Sequence, residues 1–118
     1  MVIINVCLRA INREVFAKLF EAIEKDEDGF CRKLREGIAR VLGIPVTDVS
    51  GVTLEYQVPS ESGRKIYLTL HSLFDDEESK EVLEKAGEKY EELESLVEDI
   101  LEEYGLKTGE DYLFVRMR

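Results

Sequence analysis

Four segments of the chain alternate apolar and polar positions with a period of two, which is typical of half-buried β-strands. The first segment covers residues 2–10 and has one wholly apolar face. Two more, 52–58 and 66–71, flank a turn-forming stretch at 59–63 and together predict a β-hairpin. The last segment covers residues 112–118.

A first helical pattern occupies residues 12–43, where apolar residues recur at intervals of three and four. Asn12 is a candidate N-cap, and Gly43 is placed to end the pattern in a left-handed conformation. An acidic stretch at 24–29 interrupts the periodicity. We therefore expect either two helices or one bent helix.

A second helical pattern runs from Asp75 to Tyr104, with Gly105 as the residue that follows the helix. Asp75 and Glu78 form a pair similar to a capping box, and the apolar positions then alternate in steps of three and four. We predict one continuous helix. Its apolar stripe can cover the sheet or pack against a helix of a second copy.

The strand and helix order, β-α(α)-β-β-α-β, predicts one α+β domain over residues 1–118. We expect a two-layer, ferredoxin-like sandwich in which four antiparallel strands lie in the order 4-1-3-2 and the helices cover one face. Leu113, Val115 and Met117 are predicted to point to the helices, with Tyr112 and Phe114 on the opposite side. The open face of the sheet then carries Ile3, Asn5, Cys7, Arg9, Thr53, Glu55, Gln57, Tyr67, Thr69, His71, Tyr112, Phe114, Arg116 and Arg118.

Aromatic and arginine side chains on neighbouring strands make this open face the main candidate for binding. Aromatic rings stack on ligands, and arginine adds charge and hydrogen-bond donors. We select as candidate binding residues Asn5, Cys7, Arg9, Tyr67, Thr69, His71, Tyr112, Phe114 and Arg116. A peptide, a small molecule, RNA or a second copy of the chain are the alternative ligands.

Catalysis has one candidate, a thiol nucleophile at Cys7 assisted by His71, because the two residues are expected on adjacent strands of the open face. No oxyanion hole, nucleophile elbow or orienting third residue accompanies them. The stretch 24–35 lacks the ligands of a calcium loop, and no glycine-rich phosphate loop follows the first strand. We therefore expect a non-enzymatic protein without metal or cofactor.

Charge is distributed unevenly along the 118 residues, which contain 26 acidic and 16 basic side chains for a net charge of −10. The segment 75–104 alone carries −11, so the rest of the chain is close to neutral at +1. The total argues against a general nucleic-acid binder. The acidic segment is either a solvated outer face or a specific docking surface.

The chain has no signal-peptide pattern and no apolar run of membrane-spanning length, so we expect a cytoplasmic protein that does not enter membranes. Cys7 and Cys31 are its two cysteines, and we expect both to be reduced. Low Asn and Gln content with abundant Glu, Lys and Arg is typical of thermostable proteins.

The chain resembles computationally designed or idealised α+β proteins, because its helix caps, turns and hydrophobic periodicities all indicate the same fold. The strand order also resembles the RNA-recognition-motif fold, which implies base stacking on central aromatic residues, although the segment 64–71 lacks the glycines of that family's motif. The element order is similar to SEA-like domains as well. Gly63 is followed by Arg64 rather than serine, so that resemblance implies no self-cleavage.

Our first hypothesis is thus a non-catalytic α+β protein, either a designed or idealised scaffold or a small thermophile protein, that associates through its open sheet face or its long helix. A binding module that uses the same face, and a thiol enzyme at Cys7, are the alternatives.

Overall fold

The computed structural model describes residues 2–57, 66–74 and 79–115, and of Val2, Gln57, Ile66 and Tyr67 it describes the backbone alone. Four sequence predictions fall outside these residues: the hairpin turn at 59–63, the capping pair Asp75 and Glu78, the side chain of Tyr67, and the binding residue Arg116.

A four-stranded antiparallel sheet forms one layer of the described structure. Its strands are β1 (Val2–Ala10), β2 (Val49–Gln57), β3 (Ile66–Phe74) and β4 (Tyr112–Val115). They lie in the order β2-β3-β1-β4, which confirms the predicted arrangement. Strands β1 and β3 therefore occupy the centre, and β1 is paired on both sides only along Cys7–Ala10, where β4 adjoins it.

The helices form the second layer, which makes the fold an α+β sandwich. They are α1 (Arg13–Glu24), α2 (Glu27–Leu42), α3 (Ser79–Glu88) and α4 (Tyr90–Glu103), with a short 3-10 turn at Val46–Asp48. The interrupted pattern at 12–43 thus folds as two helices. The prediction of one continuous helix through residue 104 was wrong, because the chain leaves helical geometry at Lys89.

Lys89 explains where this break falls. Its backbone has φ −108° and ψ 20°, and its ammonium group donates to the carbonyl oxygen of Val41 at 3.1 Å. That carbonyl belongs to the last turn of α2, where carbonyl oxygens have no N–H partner within the helix. Backbone bonds from Lys89 to Lys85 and from Leu93 to Lys89 bridge the break, so α3 and α4 stay connected by hydrogen bonds of the helical pattern.

The predicted helix ends are confirmed at three positions. The side chain of Asn12 accepts a hydrogen bond from the amide of Val15 at 2.9 Å. Gly43 and Gly105 follow α2 and α4 with φ of 68° and 81°, a conformation that favours glycine. Helix α2 begins at Glu27, inside the acidic stretch that interrupts the helical pattern.

The core lies between the sheet and the helices. The even-numbered residues of β1 from Ile4 to Ala10 are buried, as the alternation predicted, and β1 contacts α1 and α3 in the helix layer. Gly37 of α2 packs against α4, since an added Cβ atom would lie 2.4 Å from a methyl carbon of Leu96. The absence of a side chain at Gly37 therefore sets the spacing of these two helices.

The register of β4 corrects one sequence prediction. Tyr112 pairs with Ala10 and Phe114 pairs with Leu8, so both aromatic side chains share the helix-covered face with these β1 residues. Tyr112 is 0% exposed, and its ring contacts that of Phe114 edge-on at 5.6 Å. Tyr112 and Phe114 are core residues, and it is Leu113 that reaches the open face.

Candidate functional site

The open face is the sheet surface that the helices leave uncovered. Direct pairing across β2, β3 and β1 arranges its side chains in rows, since residues opposite each other point to the same side. Its described side chains are Ile3, Asn5, Cys7, Arg9, Thr53, Glu55, Thr69, His71, Leu73, Leu113 and Val115.

A polar row crosses three strands in the middle of the open face. Asn5 of β1 lies opposite His71 of β3, and the imidazole Nδ1 is in hydrogen-bond contact with the amide oxygen of Asn5. On the other side, Nε2 lies 3.0 Å from a carboxylate oxygen of Glu55 in β2. The half-buried His71 side chain is thereby held between two polar neighbours.

The donor and acceptor roles in this row depend on where the imidazole of His71 carries its protons. An imidazolium donates from both ring nitrogens, which suits the oxygens of Asn5 and Glu55. A neutral ring that donates to Glu55 leaves Nδ1 as an acceptor, and the amide of Asn5 can turn its NH₂ group toward it. The contacts that fix the ring are therefore compatible with more than one placement of the ring protons.

Cys7 lies beside Thr69 rather than against the imidazole. The Thr69 hydroxyl donates to the Cys7 sulfur at 3.8 Å, while both ring nitrogens of His71 contact other residues. Neither cysteine forms a disulfide. Cys31 lies in the helix layer, where burial, helped by the carboxylates of Glu27 and Asp28, raises the pKa of its thiol.

Charge on the described open face is balanced. Arg9 is half-buried and has no ion-pair partner among the described residues. Glu55 supplies one negative charge from the edge strand β2, next to His71. Apart from His71, the described face carries one positive and one negative side chain.

The ends of the open face are apolar. Ile3 is 49% exposed at one end and lies opposite the half-buried Leu73. Leu113 is 40% exposed near the other end and lies opposite Arg9. The face thus carries an apolar row, a polar middle and a mixed end that contains Arg9.

Five of the predicted binding residues are brought together here, namely Asn5, Cys7, Arg9, Thr69 and His71. Tyr67 is opposite Arg9 in the register, and Arg116 is outside the described residues. Tyr112 and Phe114 are on the other face, so the predicted aromatic platform was wrong for these two side chains. Sequence reasoning did not select Glu55 for the site, although its alternating position in β2 already placed it on this surface.

The hydroxyl group of Tyr112 lies in the core. Its hydroxyl is buried and has no hydrogen-bond partner in the described part of the chain. Burial raises the pKa of Tyr112, and the nearby carboxylates of Glu98, Glu102, Asp111 and Asp99 raise it further. Burial likewise raises the pKa of Tyr56, whose hydroxyl faces Glu24 at 3.4 Å.

We predict that stability falls at alkaline pH, because Tyr112 keeps its proton more tightly in the folded chain. Below the ordinary tyrosine pKa of about 10, both states hold the proton and stability is at its full value. Above that pH the unfolded state loses the proton first, so the free energy of unfolding decreases. Urea titrations of wild type and Tyr112→Phe from pH 8 to pH 11 should show a shallower decline in the variant.

The same substitution removes the unpartnered hydroxyl. At pH 7 we expect Tyr112→Phe to be neutral or to stabilise by up to about 1 kcal/mol, since no hydrogen bond is lost. A clear loss of stability at pH 7, or an alkaline decline identical to wild type, would contradict this account of Tyr112.

The described residues also line a cavity in the core and a groove on the surface. A small cavity of about 10 Å³ lies in the core and is lined by Ile4, Val6, Leu34, Ile38, Val52, Leu70, Ser72, Leu93 and Val97. A groove of about 380 Å³ lies between α2 and α4 and is lined by Arg40, Val41, Glu91, Glu92, Ser95, Leu96 and Asp99. No group of three metal-ligating side chains occurs among residues 2–57, 66–74 and 79–115.

No protein-family model, curated protein or solved structure matches this chain. Within the described part of the chain, none of the helices has the length and apolar character needed to cross a membrane.

Proposed function

We propose that the protein is a non-catalytic α+β scaffold that acts by association, and that a second copy of the chain docks on its open face. The observation that carries this proposal is a sheet covered by helices on one side only. On the other side, Ile3 and Leu113 are 49% and 40% exposed beside a polar row that is already hydrogen-bonded.

The size of the open face supports a sheet-on-sheet contact. Strands of nine residues span about 30 Å, and adjacent strands are about 4.8 Å apart. With the shorter β4 included, the flat area is about 500 Å² per copy, so two copies bury about 1,000 Å². That value lies at the lower limit for a specific interface, and we expect a weak, concentration-dependent dimer.

Charge and composition favour a second copy over an anionic ligand. The described face carries one cation, Arg9, and one carboxylate, Glu55, whereas a phosphate-binding surface requires clustered cations. Its apolar ends are suited to the same surface on another copy, because a twofold interface must be complementary to itself. Loss of Tyr112 and Phe114 from the face also removes two of the rings that RNA stacking would use.

The idealised character of the chain supports a scaffold without an evolved active site. Side-chain capping at Asn12 and glycines at the two left-handed helix ends, Gly43 and Gly105, are the devices of idealised backbones. We infer that the sequence specifies the fold and its surface contacts rather than a reaction. The thiol alternative requires a base at Cys7, and the sulfur contacts the hydroxyl of Thr69 instead.

Sedimentation equilibrium at pH 8 tests the proposed dimer. Wild type should show a monomer–dimer equilibrium over a concentration series from micromolar to millimolar. Ile3→Asp places a charge at the most exposed apolar position among the described residues of the open face and should weaken association at least tenfold, which corresponds to about 1.4 kcal/mol. Circular dichroism would confirm that the variant folds.

Leu83→Asp is the matched control, because Leu83 is 53% exposed on the helix layer. It should leave the dissociation constant unchanged. A dimer that is lost with Leu83→Asp and kept with Ile3→Asp would place the interface on α3. A wild-type chain that stays monomeric at every concentration would refute association altogether.

A further inference from the structure

Strand β2 forms one edge of the sheet, and much of that edge presents backbone groups outward. Its partner strand is β3, and no backbone–backbone hydrogen bond joins residues 52–56 to another element of the described structure. Every second residue of an edge strand directs its N–H and C=O groups away from the sheet. Over residues 52–56, about 17 Å of strand edge can therefore pair with an extended backbone.

The beginning of β2 is protected against such pairing. One extra residue on β2 shifts the register between Val49 and Gly51, and the guanidinium Nε of Arg35 donates to the carbonyl oxygen of Val49 at 2.7 Å. Bulges and covered edges are devices by which native sheets prevent strands from adding to them. From Val52 to Gln57 the pairing with β3 is regular, so the bulge protects only the first residues of the strand.

The helix-facing row of β2 is only half covered by the helices. Leu54 and Tyr56 are half-buried in this row. Their partners in β3, Leu70 and Leu68, are 2% and 1% exposed. Helix α1 adds Phe20, which is 39% exposed and contacts the ring of Tyr56 at 4.8 Å between ring centres. These side chains form an apolar border along the helix side of the edge.

Two carboxylates lie near the end of the same edge. The side chain of Glu55 is 53% exposed on the open face, and Glu24 of α1 accepts a hydrogen bond from the Tyr56 hydroxyl at 3.4 Å. Pairing of β2 with β2 of a second copy would add two more carboxylates to this edge, and like charges repel. A Lys or Arg side chain would instead complement them, and the net charge of −10 attracts a cationic partner.

We propose that the edge of β2 at residues 52–56 binds an extended basic peptide, which adds a fifth strand to the sheet. The peptide backbone pairs with β2, and its alternate apolar side chains pack on the border formed by Leu54, Tyr56 and Phe20. Its basic side chain lies near the two carboxylates. In this mode of recognition, main-chain hydrogen bonds give affinity and the contacts of alternate side chains give specificity. The edge is separate from the open face, so the binding does not depend on the proposed dimer.

The first experiment titrates the ¹⁵N-labelled full chain with the acetylated, amidated heptapeptide Lys-Val-Thr-Val-Thr-Val-Lys at pH 8 and follows the amide resonances. Amides of residues 52–56 should shift and reach saturation, with a dissociation constant below about 1 mM. The peptide carries alternate apolar residues for the border and a lysine at each end for the carboxylates. Shifts in the free protein should not depend on its concentration at this edge.

Two N-methylated versions of the peptide separate backbone pairing from side-chain contact. In an extended chain, the N–H groups of the valine residues point to one edge and those of the threonine residues point to the other. Methylation on the edge that faces β2 removes its donors, whereas methylation on the opposite edge keeps the pairing. Of the peptides methylated at valine and at threonine, one should therefore bind like the parent and the other at least tenfold more weakly.

Protein variants test the apolar border and the charge. Phe20→Ala should weaken binding of the parent peptide at least threefold, because it removes exposed apolar surface beside the edge. Glu55→Gln should also weaken it, but should bind a peptide with glutamine in place of both lysines as wild type does. Leu83→Ala is the matched control, since Leu83 is 53% exposed on α3, and its affinity should equal that of wild type. Circular dichroism would verify that each variant is folded.

The outcomes distinguish this inference from its alternatives. Absence of saturation, shifts confined to other surfaces, or equal binding of the two methylated peptides would overturn the added strand. Equal losses in Phe20→Ala and Leu83→Ala would overturn the apolar border. Shifts of residues 52–56 that depend on protein concentration without peptide would place a second copy at this edge instead of a basic peptide. The proposed dimer on the open face is tested separately, by the sedimentation series with Ile3→Asp.

Discussion

Replacing Tyr112 by alanine is expected to lower the free energy of unfolding by about 3–5 kcal/mol, the usual cost of deleting a buried aromatic side chain. Tyr112 is 0% exposed and is among the largest fully buried side chains that the structure describes. Domains of this size are stabilised by only about 5–15 kcal/mol, so the variant should be close to unfolding at room temperature.

Two contributions make up this loss. The ring leaves a cavity beneath α4, where the surrounding side chains cannot fully collapse. Its edge-on contact with Phe114, at 5.6 Å between ring centres, is lost as well. Loss of the hydroxyl adds nothing, since it has no partner in the described structure.

Leu113→Ala is the matched control for this prediction. Leu113 is next in the chain and 40% exposed on the open face, so truncation should cost no more than about 1 kcal/mol. Urea unfolding at low micromolar concentration, where the proposed dimer is dissociated, would measure both variants. Equal losses, or a larger loss for Leu113→Ala, would mean that β4 pairs with β1 in the register that the sequence suggested.

That β4 register shows where sequence reasoning reached its limit. Residues 112–115 are all apolar, so alternation alone does not say which pair faces the core. Arg116 and Arg118 share a parity with Tyr112 and Phe114, and this favoured an outward orientation for the two rings. In the structure, Tyr112 pairs with Ala10, so the two rings point toward the helices instead. Strand pairing is a tertiary contact, and a local sequence pattern does not specify it.

The helix break at Lys89 was missed for a related reason. Apolar spacing of three and four continues from Ala86 through Tyr90 to Leu93, so the periodicity gives no signal. The break coincides with a contact between Lys89 and the end of α2, which lies 48 residues earlier in the chain. Helix ends that depend on local chemistry, such as those at Asn12 and Gly43, were predicted correctly.

The candidate site was also predicted only in part. Asn5, His71 and Glu55 were placed on one face by strand alternation, because β1, β2 and β3 each have a clear polar side. Their hydrogen bonds depend on the relative register of three strands, which alternation does not specify. The sequence therefore predicted which residues share the surface, but not that His71 would contact Asn5 and Glu55 rather than Cys7.

The second large effect is expected at the contact between the start of α2 and the end of α4. Phe30 is 0% exposed and packs edge-on against Tyr104 at 5.6 Å. Phe30→Ala should cost about 3–5 kcal/mol, since it removes a buried ring and the surface on which Tyr104 rests. Polar contacts surround the same point, because the Tyr104 hydroxyl donates to Asp26 at 3.0 Å and Lys33 bonds Glu103 at 3.1 Å.

Tyr104→Phe separates packing from these polar contacts, because it removes the bond to Asp26 and keeps the ring. The bond and the Lys33–Glu103 ion pair lie at the surface, where such interactions contribute about 1 kcal/mol or less. We therefore expect Tyr104→Phe to lose no more than about 1 kcal/mol in urea unfolding at pH 7. A loss that approaches that of Phe30→Ala would mean that hydrogen bonding, rather than burial of Phe30, joins α2 to α4.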